Sequence, residues 1–115
     1  MQFKDLIDDV KKVKIDEVRV DSSNFFEAVV ARDGFAKVAT HLEKFFGVSP
    51  WAFNDPLPSE IQGHINSYGG IMPGQTLYFC DSGNAIVIAM LWPWKDGLHT
   101  TLKIIECQET KGRKE

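Results

Sequence analysis

The sequence predicts an α+β domain. Its framework is an antiparallel β-meander over about residues 75–107, extended by a further strand at 25–31, with about three helices packed mainly on one face. Three observations carry this. Ala85-Ile-Val-Ile-Ala-Met-Leu-Trp-Pro-Trp94 is an uncharged run clamped between two turn-forming segments, Asp81-Ser-Gly-Asn84 and Lys95-Asp-Gly97. β-Rich segments flank it on both sides. Elsewhere, apolar residues recur with helical period.

The elements follow in chain order. Phe3, Leu6, Ile7 and Val10 fall at i, i+3, i+4 and i+7, which predicts a helix over 2–12. The period then shortens. Val13, Ile15, Val18 and Val20 are separated by polar residues, and Phe25-Phe-Glu-Ala-Val-Val30 is β-rich, with turn chemistry at Asp21-Ser-Ser-Asn24 between them. Strands are expected at 15–20 and 25–31. The rival is one helix from Asn24 to Phe46. Arg32-Asp-Gly34 opposes it, since glycine costs about 1 kcal/mol against alanine inside a helix. Asp33 is the expected N-cap of a helix over 34–46, with Phe35, Val38, Ala39, Leu42, Phe45 and Phe46 as its stripe and Gly47 at its end. Residues 47–58 read as an ordered connection containing Trp51. A short helix follows at 59–68, with Ser59 as N-cap, stopped by Gly69-Gly70.

Within the meander, a two-residue loop at Ser82-Gly83 would pair Phe79 with Ile86 and Leu77 with Ile88. A three-residue loop at Lys95–Gly97 would set Trp94 opposite Leu98, Trp92 opposite Thr100 and Ile88 opposite Ile104. One face then collects Leu77, Phe79, Ile86, Ile88, Met90, Trp92, Leu98, Leu102 and Ile104 as core. The other carries Tyr78, Cys80, Val87, Ala89, Leu91, His99, Thr101, Lys103, Ile105 and Cys107. Pro93 falls where its missing N–H faces away from the third strand.

The totals bound the function. A chain of 115 residues is one domain, expected over 1–108, with 109–115 as a frayed charged tail. With 43% hydrophobic and 25% charged residues, it has an ordinary globular composition. A net charge of −3 argues against a nucleic-acid binder that works through the phosphate backbone. No apolar run is long enough to span a membrane, and the acidic start does not resemble a signal peptide, so the expected location is cytoplasmic. Cys80 and Cys107, placed on one face two strands apart, would sit about 9–10 Å apart. A disulfide needs less than about 7 Å, so both are expected as free thiols.

No motif declares a chemistry. Tyr68-Gly-Gly-Ile-Met-Pro-Gly74 is glycine-rich but leaves a helix C-terminus, whereas phosphate loops lead into a helix N-terminus. No His, Cys or carboxylate pair has metal-ligand spacing, and no cofactor is implied. Asp8-Asp9 and Asp16-Glu17 read as solvated neighbours, and His41 and His64 as surface residues. His99, Thr101 and Lys103 form a row on the mixed face, with Tyr78 two strands away. They are either a candidate site, with His99 as acid/base and Lys103 for an anion, or polar residues that blunt an outer strand. Trp94, at the open end of the sheet, is the tryptophan expected to be partly exposed. The candidate binding residues are therefore Tyr78, Leu91, Trp94, His99, Thr101 and Lys103. The apolar streak of Tyr78, Val87, Leu91 and Ile105 needs a cover, which points to a protein-interaction module that pairs with another protein or a second copy. The alternative is a small-ligand binder or enzyme with a pocket near Trp51, Trp94 and His99.

Overall fold

A computed structural model describes residues 3–13, 15–47, 57–72, 74–81 and 85–108. The elements are α1 (Phe3–Lys11), β1 (Ile15–Asp21), β2 (Phe25–Ala31), α2 (Arg32–Phe46), α3 (Ser59–Asn66), β3 (Thr76–Asp81), β4 (Ala85–Pro93) and β5 (His99–Gln108). The fold is α+β, with a five-stranded antiparallel sheet in the order β1-β2-β5-β4-β3. The meander β3–β4–β5 joins the β1–β2 hairpin through β5 and β2. β5 is thus an interior strand, not the outer one considered from sequence; the edges are β1 and β3.

Both faces of the sheet are core. α1 and α2 cover one face. Phe3, Leu6, Ile7 and Val10 of α1 and Val38, Leu42 and Phe46 of α2 pack on Phe26, Ala28, Val30, Tyr78, Val87, Ala89, Leu91, Leu102 and Ile104. α3 covers the other, with Ile61 and Ile65 on Leu77, Ile86, Ile88, Met90 and Ile105. The streak of Tyr78, Val87 and Leu91 therefore finds its cover within the chain.

The face assignment differs from the sequence expectation because β5 is displaced by one residue. Pro93 pairs with Thr100, Trp92 with Thr101, Met90 with Lys103 and Ile88 with Ile105. The cause lies in the turn. Asp96 Oδ1 accepts hydrogen bonds from the N–H groups of Leu98 (2.8 Å) and His99 (3.2 Å), and Trp94 N–H donates to His99 O at 2.9 Å. Leu98 is thereby drawn into the loop instead of facing Trp94. Gly97 takes the left-handed conformation (φ 70°) as its place in the turn requires. A one-residue slip moves every side chain of a strand to the opposite face. Leu102 and Ile104 therefore join Leu91 under α1 and α2, while Thr101, Lys103, Ile105 and Cys107 join Trp92 on the α3 side.

At the β3–β4 hairpin the displacement is two residues, with Phe79 opposite Ile88 and Leu77 opposite Met90. An even shift keeps every side chain on its face, so the division of β3 and β4 survives. The two-residue loop does not, because Asp81 pairs with Ile86; Ser82 and Gly83 themselves lie outside the described residues. Cys80 pairs across to Val87 and Cys107 to Ile86, so the free thiols lie on opposite faces. That separation, rather than strand spacing, keeps them apart.

Helix boundaries differ in small ways. α2 starts at Arg32, with Ala31 rather than Asp33 as N-cap and no capping side chain. Arg32 N–H instead donates to Leu98 O at 2.8 Å, which fixes the helix start to the β4–β5 turn. Pro58, not Ser59, precedes α3. Trp51 and the tail from Glu109 lie outside the described residues.

Candidate functional site

The site grows from two irregularities in β1. Its pairing with β2 skips one residue between Ile15 and Glu17 and another between Val18 and Val20. The skipped residues are Asp16 and Arg19. A bulge re-aims the side chain it carries, and here both reach across β2 to the end of the β4–β5 hairpin. Asp16 Oδ2 lies 3.1 Å from His99 Nε2, and the Arg19 guanidinium carbon lies 5.8 Å from the Trp94 ring centre. Arg19 is also within 3.7 Å of Glu17 and Glu27, so it is held between carboxylates as well as against the indole.

His99 is gripped from both sides. Its Nδ1 lies 2.7 Å from Asp96 Oδ2, opposite the Asp16 contact on Nε2. Two carboxylate partners leave no nitrogen to serve as an acceptor, so this geometry is that of the imidazolium. The His99 pKa is accordingly raised above its ordinary 6.5, first by the hydrogen bond to Asp96, with the charges of Asp96 and Asp16 also acting upward. The Asp96 carboxyl is held below its usual range, chiefly by the Leu98 N–H and then by the His99 side chain.

Trp94 rests on this arrangement. Its ring lies 4.9 Å from that of His99, and its indole N–H donates to Thr101 Oγ1 at 2.8 Å. It remains 37% exposed, so a large aromatic side chain is fixed in position with part of its surface in solvent. Further along the same face, Lys103 Nζ lies 3.8 Å over the Trp92 ring and donates to Tyr68 O at 3.0 Å. Lys103 thus straps the turn that follows α3 to the sheet.

Two clefts flank Trp94. One, of about 370 Å³, lies between the first turns of α2 and the hairpin and includes Arg32, Phe35, Ala36, Leu98, His99 and Thr100 in its lining. The other, of about 400 Å³, is bounded by Met72, Gly74, Gln75, Pro93 and Lys95. Met72 and Leu98, like Trp94, are exposed apolar side chains, and each borders one of these clefts.

Of the residues singled out from sequence, Trp94, His99, Thr101 and Lys103 share one face. Tyr78 and Leu91 do not. Both are buried on the opposite face under α1 and α2, because β5 carries its polar row to the α3 side. The Tyr78 hydroxyl donates to Glu43 at 3.2 Å, and its pKa is pushed up to about 12, by burial first and by the Glu43 charge next. Sequence reasoning missed Asp16, Arg19, Asp96 and Arg32. Asp96 carried a usable signal, an Asp-Gly turn three residues before a histidine. The β1 bulges carried none. Among the described residues, no cluster of three or more His, Cys, Asp or Glu side chains could hold a metal ion, and no helix is long and apolar enough to cross a membrane. A scan of protein-family models and searches of curated proteins and of solved structures return no match, so the functional reading rests on the site alone.

Proposed function

We propose that this chain is a small cytoplasmic protein-interaction module whose recognition element is Trp94, with another protein or a second copy as its partner. The observation that carries this is the immobilised, part-exposed Trp94 ring with a cleft on either side. Tryptophan and arginine dominate interface hot spots because they combine large apolar area with directional polar groups. Their ordering here precedes binding, since Thr101, His99 and Arg19 already hold the indole. Pre-organisation of this kind lowers the entropic cost of association. Exposed Met72 and Leu98 widen the apolar surface on the two sides. Capture experiments with the wild-type chain, Trp94→Ala and Val18→Ala test the reading. A specific partner should be lost with Trp94→Ala and kept with Val18→Ala, which alters an exposed β1 residue paired with Ala28, on the α1/α2 face opposite Trp94. Retention by Trp94→Ala would remove the proposal.

A second reading is favoured by the cleft beside Trp94 and His99. At about 370 Å³ it falls within the range of small-molecule sites, and its walls mix apolar side chains with a few polar ones. On this reading the chain binds a small ligand there. His99 would position the wall rather than serve as a free acid/base, because both its ring nitrogens are engaged.

A further inference from the structure

We infer that His99 is a proton-operated clasp, which fastens the edge strand β1 to the β4–β5 hairpin when the imidazole is charged and lets the bulged stretch of β1 go when it is neutral. The inference does not depend on what Trp94 or the clefts beside it bind. Its basis is a count of donors. The charged ring carries two N–H groups and has two carboxylates to receive them, Asp96 Oδ2 at 2.7 Å from Nδ1 and Asp16 Oδ2 at 3.1 Å from Nε2. The neutral ring keeps one N–H and presents a lone pair at the other nitrogen. One contact is then given up, because a lone pair set against a carboxylate oxygen is repelled. Asp96 keeps its contact. It is the nearer partner, it lies three residues away in the same turn, and the N–H groups of Leu98 and His99 already hold its Oδ1. Asp16 is let go. It is one of the residues that β1 skips in pairing with β2, so it sits where the ladder is interrupted. The loosening is confined to the bulged stretch. Ile15 packs against the core under α1 and α2, and Lys11 Nζ holds Asp21 Oδ2 at 2.6 Å at the far end of β1. The other charges around the ring do not replace the lost contact. Arg32 lines the same cleft from α2, and Arg19 lies against Trp94 between Glu17 of β1 and Glu27 of β2. Histidine is the side chain whose charge ordinarily changes near neutral pH. The hydrogen bond to Asp96 first, then the charges of Asp96 and Asp16, move that change upward for His99.

Backbone order along β1 tests the clasp. Carbon relaxation of the Cα–H bonds, which alkaline pH does not exchange away, is measured in the full chain well below and well above the imidazole midpoint found by NMR titration. Below the midpoint, residues 16–19 should have order parameters near the rigid value of about 0.85, and above it these should fall towards about 0.6. Residues 25–31 of β2 should not change. Two variants test the choice of partner. Asp16→Ala should be loose at both pH values, with the imidazole still titrating against Asp96. Asp96→Asn keeps an oxygen for the turn N–H groups and offers its amide NH2 group to Nδ1. The neutral ring then directs its Nε2–H to Asp16, and β1 should stay ordered at both pH values. Unchanged order at 16–19 in the wild-type chain while the ring titrates overturns the inference. So does a fall of equal size in Asp96→Asn, which would trace the change to pH itself rather than to the partner the ring keeps.

Discussion

Asp16 Oδ2 and His99 Nε2 lie 3.1 Å apart, although they belong to strands separated by β2. The contact exists because the β1 bulge releases Asp16 from the pairing register and because the four-residue β4–β5 turn delivers His99 to the same face. With Asp96 on the other ring nitrogen, His99 ties the edge strand to the hairpin that carries Trp94.

Each carboxylate should raise the His99 pKa independently. Asp96→Asn removes the larger influence and should lower the pKa more than Asp16→Asn does. NMR titration of the imidazole in the two variants measures both shifts; an unchanged pKa in Asp96→Asn would contradict the geometry.

Stability should depend on pH through the same cluster. The folded His99 pKa lies above its unfolded value near 6.5, so its contribution is complete below that value and is lost as pH rises through the folded pKa. Asp96 behaves oppositely. Its folded pKa lies below 3.8, so its contribution is present above that value and is lost as pH falls through the folded pKa. Urea unfolding across neutral pH should show stability declining towards alkaline pH, and His99→Gln should flatten that decline.

Both faces of the sheet should behave as core. Leu91→Ala, beneath α1 and α2, and Ile105→Ala, on the α3 side, should each cost about 2–5 kcal/mol, as large-to-small changes at fully buried sites do. Denaturant unfolding of the two variants checks this. A cost near zero for either would mean that one face is open.

Gly69 should not tolerate a side chain. Its φ is +107°, and a Cβ there would lie 2.5 Å from Trp92 Cη2. Trp92 cannot yield easily, since Lys103 is fixed over its ring. Gly69→Ala should lower stability by more than about 1 kcal/mol. Near-ultraviolet circular dichroism should show the Trp92 environment changing with it.

Much of the fold was legible because it rests on local chemistry. The stripes of α1, α2 and α3, the strands at 15–20 and 25–31, and the meander follow from periodicity and turn residues. The β5 register was not legible, because it depends on whether Leu98 pairs or joins the turn, and the Asp96 side chain decides that. This single residue separated Tyr78 and Leu91 from Thr101 and Lys103, and so divided the expected site. The same displacement brought together Trp94 and His99, which the expected register set on opposite faces. Asp16 and Arg19 were hidden for a different reason: bulges arise from how a twisted edge strand meets its neighbour, and nothing in Ile15-Asp-Glu-Val-Arg-Val20 marks the skipped positions.

Site-specific photo-crosslinking tests most directly whether the Trp94 end is the recognition surface. A photoreactive residue is placed singly at Leu98, at Met72 and at Val18, in chains with Trp94 intact and in chains carrying Trp94→Ala. With Trp94 present, Leu98 and Met72 should each give a discrete adduct, whose mass separates a second copy from another protein, and Val18 should give none. The adducts should vanish with Trp94→Ala. Adducts that persist without Trp94, or that form at Val18 alone, would contradict the proposal.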